Sequence, residues 1–285
     1  RERVRDALKK VLTRHEIFRT SFEIIADEPV QKVHPQMSTE IDYFELEPMA
    51  GSVGDSPDRE RENKEKALIT NFIRLYSQGE LPPVKVQYKD YTEWQGSEKQ
   101  GEVKGRQETY WLNRFKGRLP VLDLPTDYPR PLLQSFEGSW LASRIDRELT
   151  RKIKALALEK ESTLYIVLLA ACNILLSKYT GQTDIIVGSP TTGRMHPDVE
   201  NTIGMFVNML AMRNFPVESK DIDSFLAEVK ENSLQAFENQ QYQFEELVIK
   251  LGLQGETSRN PLFDVVFALQ NQETGNIEID ELKAV

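Results

Sequence analysis

"STLYIVLLAACNILLSKYTGQTDIIVGSP", residues 162–190, changes from one kind of secondary structure to another within a single turn. Its first part is apolar nearly all round, which marks a helix buried on most sides. Ser162 or Thr163 can cap its start, and Gly181 can end it in a left-handed conformation. "DIIVGSP" then reads as a short interior strand. The apolar run 164–176 is too short to span a bilayer and carries Asn173, so it belongs in a protein core.

The flanks repeat this alternation. Downstream, "IGMFVNMLAMRNF" (203–215) is a strand region, and "DSFLAEVKENSLQAFENQ" (223–240) is an amphipathic helix with Phe225, Leu226, Val229 and Phe237 inward. "LFDVVFALQN" (262–271) reads as a strongly apolar strand. Upstream, "SWLASRID" (139–146) is expected to be a strand and 147–160 a charged amphipathic helix. Earlier still, a helix lies near "RQETYWLNRF" (106–115). Val4, Ala7, Leu8, Val11 and Leu12 share one face of a first helix. "FRTSFEII", "PVQKVHP" and "TEIDYFEL" follow as strands. "GSVGDSP" (51–57) is a flexible connection that lacks the ending of a phosphate loop, and Ser56 and Pro57 open a helix with Leu68, Phe72, Leu75 and Tyr76 inward. Strands alternating with helices in both halves give an α/β (α+β) class. Pro120, Pro125, Pro129 and Pro131 mark a crossing between two lobes, 1–130 and 131–285.

Composition narrows the function classes. A net charge of −9 and a pI near 5.1 argue against nucleic acid or an anionic membrane as the main partner. The single cysteine, Cys172, allows no disulfide within the chain and suits a reducing cytoplasm. In a buried helix it lacks what a nucleophilic thiolate needs. No spacing of His, Cys and carboxylates suits a metal. Arg1 opens in mid-helix pattern, so the chain is expected to be a fragment of something longer.

Several segments carry a family resemblance. "RHEIFRTSF" (14–22), "YKDYTEW" (88–94), "IGMFVNMLAMR" (203–213), "NQQYQFEEL" (239–247) and "TSRNPLFDVVFALQN" (257–271) resemble, in order, the second, fourth, fifth, sixth and seventh core motifs of condensation domains from nonribosomal peptide synthetases. "YTGQTDIIVG" and "VGSPTTGRMHP" are similar to the same family. The resemblance implies two chloramphenicol-acetyltransferase-like lobes forming a V with a tunnel between them. It implies upstream and downstream peptidyl carrier domains and an adjacent adenylation domain as partners. No cofactor would be bound directly; the acyl groups ride on phosphopantetheine arms of the carriers. The acceptor amine attacks the donor thioester and a peptide bond forms, as in antibiotic biosynthesis. "IGMFVN" favours condensation over epimerisation, whose domains usually have a tryptophan-containing variant there. A catalytically inactive carrier-docking module is the alternative from another class.

One motif of the family is missing. Its third, His-His-x-x-x-Asp-Gly, supplies the histidine expected to handle the amine proton or stabilise the tetrahedral intermediate. The three histidines here are His15, His34 and His196, and none opens such a motif. "NFIRLYSQG" (71–79) locates the gap, because "NFIR" and "LYSQGELPP" resemble family segments that flank the histidine motif. A block is therefore expected to be missing between Arg74 and Leu75, with no peptide bond joining them. Three origins are open: a disordered stretch left out of the numbering, an engineered removal, or a natural deletion. The first is favoured, since losing a central strand would leave buried backbone groups unpaired at about 1–3 kcal/mol each.

The remaining candidates are supporting rather than catalytic residues. Arg14 and Arg19 flank a helix-to-strand corner and tie it down. His15 reads as a helix-end residue, His34 as surface, and His196 as a loop residue. Asp90, Trp94, Phe206 and Phe244 are scaffold positions within the motifs. Asn208 either donates an amide near the reacting centre or fixes a strand end. Arg213 either pairs with the aspartate of the missing motif or faces water, because a buried lone guanidinium is costly. Arg259 and Asn260 form a turn that locks the last strand.

Overall fold

The computed structural model describes residues 2–25, 28–35, 83–255 and 257–270. The strand expected at "TEIDYFEL", the linker "GSVGDSP", the following helix and the expected break between Arg74 and Leu75 lie outside the described residues.

The chain divides into two units. Among the described residues, the first holds 2–25, 28–35, 83–97 and Arg194–Met205; the second holds Glu98–Gly193, 206–255 and 257–270. In the second unit, the helix Glu98–Arg114 contributes Trp111 to the core, and the residue after it, Phe115, packs there too.

In the first unit, α1 (Glu2–Arg14) runs through a 3₁₀ turn (Glu16–Arg19) into β1 (Thr20–Ile25), which pairs antiparallel with β2 (Glu28–Val33). The register sets Thr20 opposite Val33 and Ile25 opposite Glu28. α2 (Tyr88–Gln95) carries the "YKDYTEW" segment. The returning stretch Arg194–Met205 packs here through polar contacts: the Thr202 hydroxyl donates to the Val86 carbonyl (2.7 Å) and the Tyr88 hydroxyl to that of Met205 (2.8 Å).

The second unit contains α3 (Glu98–Arg114), α4 (Arg147–Glu159), α5 (Leu164–Thr180), β3 (Ile185–Thr191), β4 (Asn208–Asn214), α6 (Ile222–Glu238) and α7 (Phe244–Lys250). α5 is the buried helix the sequence predicts. Thr163 is its cap, accepting from the Ile166 N–H, and Gly181 ends it at φ 70°. Ile166, Leu169, Ala170 and Leu176 are buried along it. Each such leucine or isoleucine stabilises the fold by roughly 1.5–3 kcal/mol relative to exposure. β3 is buried on both faces, which explains its continuous apolar run. It pairs antiparallel with β4, Ile185 opposite Asn214 and Thr191 opposite Asn208.

Two expected strands differ. "SWLASRID" is irregular and exposed and joins no ladder among the described residues. "LFDVVFALQN" touches β3 through a parallel bridge, Gly188 to Val266. Its bonds are Gly188 N–H to Val265 carbonyl (2.9 Å) and Phe267 N–H to Gly188 carbonyl (2.8 Å). Apolar alternation predicts a strand, but a ladder forms only where a neighbouring backbone lies in register. β4 likewise starts only at Asn208, because "IGM" belongs to the returning stretch of the first unit.

Gly188 is where this sheet meets the core. A Cβ there would lie 2.5 Å from the Phe263 ring, inside any allowed contact. Gly188→Ala is expected to lower the unfolding free energy by about 1–3 kcal/mol. Gly101→Ala, where nothing lies within 4 Å, is the control and is expected to be neutral or stabilising. Urea denaturation of the two variants checks this; equal midpoints would contradict it.

Candidate functional site

The corner between α1 and β1 brings together the residues of "RHEIFRTSF". The Gln87 side chain straddles His15: its amide N–H donates to the Arg14 carbonyl (2.9 Å), and its oxygen accepts from the Glu16 N–H (3.2 Å). Gln87 also caps α2 in a reciprocal box in which the Asp90 carboxylate accepts from the Gln87 N–H (2.9 Å). Glu16 accepts from Arg19 (3.3 Å) and pairs with Lys89 (2.8 Å). That carboxylate holds the Lys89 ammonium above its ordinary range. The Arg19 guanidinium also donates to the His34 carbonyl at 2.5 Å, tying the start of β1 to the end of β2. Arg14, Arg19 and Asp90 thus form one stitched corner. Trp94 lies further along α2, half-exposed, with its ring 5.7 Å from Tyr91.

None of the three histidines is set up as a base for an incoming amine. His15 is buried and lacks a ring partner among the described residues. Desolvation and the neighbouring Arg14 charge lower its pKa to about 4, so it is neutral at pH 7. His34 Nε2 lies 2.8 Å from the Ser21 hydroxyl across the hairpin. His196 is exposed, and its Nδ1 accepts from the Asp198 N–H (3.2 Å) to open a short 3₁₀ turn. Burial raises the Cys172 thiol pKa, which disfavours a thiolate.

In the second unit, Arg213 finds a partner that the sequence reading did not name. Asp184, just before β3, takes a bidentate pair from it: Nε to Oδ1 at 2.9 Å and a terminal nitrogen to Oδ2 at 2.7 Å. Arg213 also donates to the carbonyls of Arg114 (3.1 Å) and Arg118 (3.4 Å), and is only 8% exposed. It neither faces water nor lacks a carboxylate. Asn208 fixes a loop. Its amide N–H groups donate to the carbonyls of Gln240 (2.8 Å) and Tyr242 (2.7 Å), and its oxygen accepts from the N–H groups of Met209 (2.9 Å) and Phe244 (3.2 Å). The buried Phe244 ring packs 5.2 Å from Phe263. The Asn260 oxygen accepts from the N–H groups of Leu262 (3.1 Å) and Phe263 (3.4 Å). Arg259 (3.6 Å) and Arg130 (2.8 Å) flank the buried Asp264 carboxylate. Phe206 is buried beside Gly193, where a Cβ would strike the Phe206 carbonyl. Asp184, Asp264 and Gln87 carry these arrangements and went unnoticed in the sequence. Only Gln87 had a local signal, since an acid three residues on is a capping pattern.

A family model described as "Condensation domain" matches residues 65–284. Tyrocidine synthase 3 of Brevibacillus parabrevis is 42% identical over 99% of this chain, and the chain spans only 5% of that relative's length. That alignment runs over 316 positions although the whole chain has 285 residues, so at least 31 positions of the relative face no residue here. Among solved structures, the condensation domain from the monacolin K polyketide synthase MokA matches with a TM-score of 0.71 at 20% identity, covering 93% of this chain and 72% of that one. A four-domain nonribosomal peptide synthetase bound to AMP and glycine matches with a TM-score of 0.79 at 18% identity, covering 96% of this chain and 24% of that one. These likenesses assign the chloramphenicol-acetyltransferase-like α/β fold.

Two outcomes follow from the geometry. Asp184→Ala strands the Arg213 guanidinium and is expected to cost about 2–4 kcal/mol in urea denaturation, more than Arg213→Met, which removes the charge itself. His15 protonates more readily in the unfolded chain than in the folded one. The contribution of His15 to stability is therefore flat above pH 7, falls as pH drops below about 6.5, and levels off near pH 4. His15→Phe is expected to remove on the order of 2 kcal/mol of that acid-side loss. Parallel pH titrations of the two unfolding curves would refute this by remaining a constant distance apart.

Proposed function

The chain belongs to the condensation-domain family of nonribosomal peptide synthetases, and on that premise we propose that it is the amide-forming unit of a larger synthetase. The donor is an acyl thioester and the acceptor an amine, each on the phosphopantetheine arm of a carrier domain, upstream and downstream. An adenylation domain lies adjacent, and the setting is cytoplasmic. The amine nitrogen attacks the thioester carbonyl carbon, a C–N bond forms, and the tetrahedral intermediate expels the donor thiolate. The nitrogen loses one proton on the way, and the leaving sulfur gains one. Much of the acceleration comes from holding two tethered reactants together away from water. The described residues supply scaffold for this: the stitched α1–β1 corner, the Asn208 loop lock and the Arg213–Asp184 pair.

Proton handling belongs to a segment this chain lacks. We place that segment between Arg74 and Leu75. One observation supports the reading above all: the surplus of at least 31 positions in a relative 42% identical over 99% of this chain. The relative's multidomain length and the four-domain neighbour support carriers as partners.

The experiment offers two loaded carriers to two proteins, the chain as it stands and the chain carrying the tyrocidine synthase 3 residues between Arg74 and Leu75. The filled chain is expected to form amide about 10²–10⁴-fold faster. Equal rates from both would remove the motif from the mechanism. Exchange of the α-hydrogen of a single loaded carrier into solvent, without amide formation, would assign epimerisation instead.

A further inference from the structure

The stretch that joins α3 to α4 is tied at both ends and open in the middle. Arg130 pairs with the buried Asp264 carboxylate (2.8 Å). The Thr257 hydroxyl donates to the Leu132 carbonyl (2.8 Å), and the Gln134 N–H donates to the Thr257 carbonyl (2.8 Å). At the far end, Asp146 caps α4 by accepting from the Leu149 N–H (2.7 Å). Between these ties, Leu132, Leu133, Phe136, Trp140, Leu141 and Ile145 are all exposed, Phe136 at 92% and Leu141 at 97%. Among the described residues, no backbone–backbone hydrogen bond engages the chain from Gly138 to Ile145.

Soluble monomers rarely carry an apolar patch beyond a few hundred Å². Covering an aliphatic side chain of this size hides roughly 60–120 Å², and covering an aromatic one about 150–250 Å². The stretch therefore offers on the order of 600–800 Å² per copy, and two copies together about 1,200–1,600 Å². That reaches the size of a standard stable interface, about 1,200–2,000 Å². Charge also favours a copy of the same stretch. The chain carries −9 overall, whereas residues 132–145 hold one acid, Glu137, and one base, Arg144. An antiparallel approach sets Glu137 of each copy beside Arg144 of the other. The open backbone presents a row of donors and acceptors, which is the template another unpaired backbone matches.

We propose that residues 132–145 form a self-pairing surface, occupied by the same stretch of a second copy of this chain. The contact is isologous, the same patch on both copies related by a two-fold axis. Phe136, Trp140 and Leu141 form its apolar centre. The backbone between Gly138 and Ile145 pairs across the axis, and the two Glu137–Arg144 contacts form its rim. The ties at Arg130, Thr257 and Asp146 fix the ends of the stretch, which lowers the ordering cost of pairing. The pairing is independent of the amide-forming reaction.

Sedimentation equilibrium over about 1–100 μM is expected to show a reversible passage from one copy to two, with a Kd in the micromolar range. A single-copy mass throughout, or a mass that climbs past two copies, overturns the proposal. Phe136→Asp combined with Leu141→Asp is expected to weaken the pairing by at least about 30-fold. Leu158→Asp, exposed on α4 outside the stretch, is the control and is expected to leave it unchanged. Pairing that survives the double substitution, or that fails equally in the control, overturns the proposal. At low concentration the urea midpoint of the double variant is expected to match that of the parent, because both side chains are exposed in the single copy. A lowered midpoint shows that this chain already covers the stretch itself, and overturns the proposal. In hydrogen exchange, the amides of Ser139–Ile145 are expected to gain protection as the concentration rises; constant protection overturns the pairing.

Discussion

The bidentate pair between Arg213 and Asp184 constrains the second unit more than any other polar contact in it. A guanidinium this deeply enclosed is tolerable only when its charge is met and its N–H groups are used. Asp184 meets the charge, and the carbonyls of Arg114 and Arg118 take further donors. The consequence is geometric. Asp184 precedes β3, Arg213 lies on β4, and the two carbonyls lie at the last residue of α3 and four residues beyond it. One side chain therefore fixes the helix terminus against the strand pair, and Trp111, Phe115, Leu210 and Val229 fill the space behind it. The hydrophobic core supplies most of the free energy, but it is non-directional. The ion pair selects the register in which that core packs.

The first unit solves a comparable problem with neutral groups. A single glutamine amide has one donor side and one acceptor side, and Gln87 spends both on the backbone flanking His15. The same residue starts α2, its backbone N–H donating to the Asp90 carboxylate, so helix capping and the α1–β1 corner depend on one residue. Glu16 then gathers Arg19 and Lys89. This economy leaves nothing for the imidazole it encloses.

Much of the architecture was legible in one dimension. α5 announced itself by its caps and its apolar circumference, and β3 by a short apolar run after a left-handed glycine. The helix at 147–159 and the inner face of α6 followed from spacing alone. The strand expected at "SWLASRID" did not form, because alternation describes a face and not a partner. For the site, ordered motifs identified the family, and the missing histidines were visible as an absence of letters. Pairings such as Arg213 with Asp184, or Gln87 with the backbone around His15, span 29 and 71 positions or more and leave no periodic trace.

The sequence by itself determined which segments are helix or strand, which faces are apolar and which family the chain resembles. Those properties are written in nearest-neighbour chemistry: caps, turn residues and the period of apolar side chains. Only the tertiary structure decided which charge neutralises Arg213, what Asn208 holds and that His15 is enclosed with no ring partner among the described residues. Burial is a property of what the rest of the chain places around a residue, and hydrogen bonds between distant segments exist only once the backbone has brought them within about 3 Å.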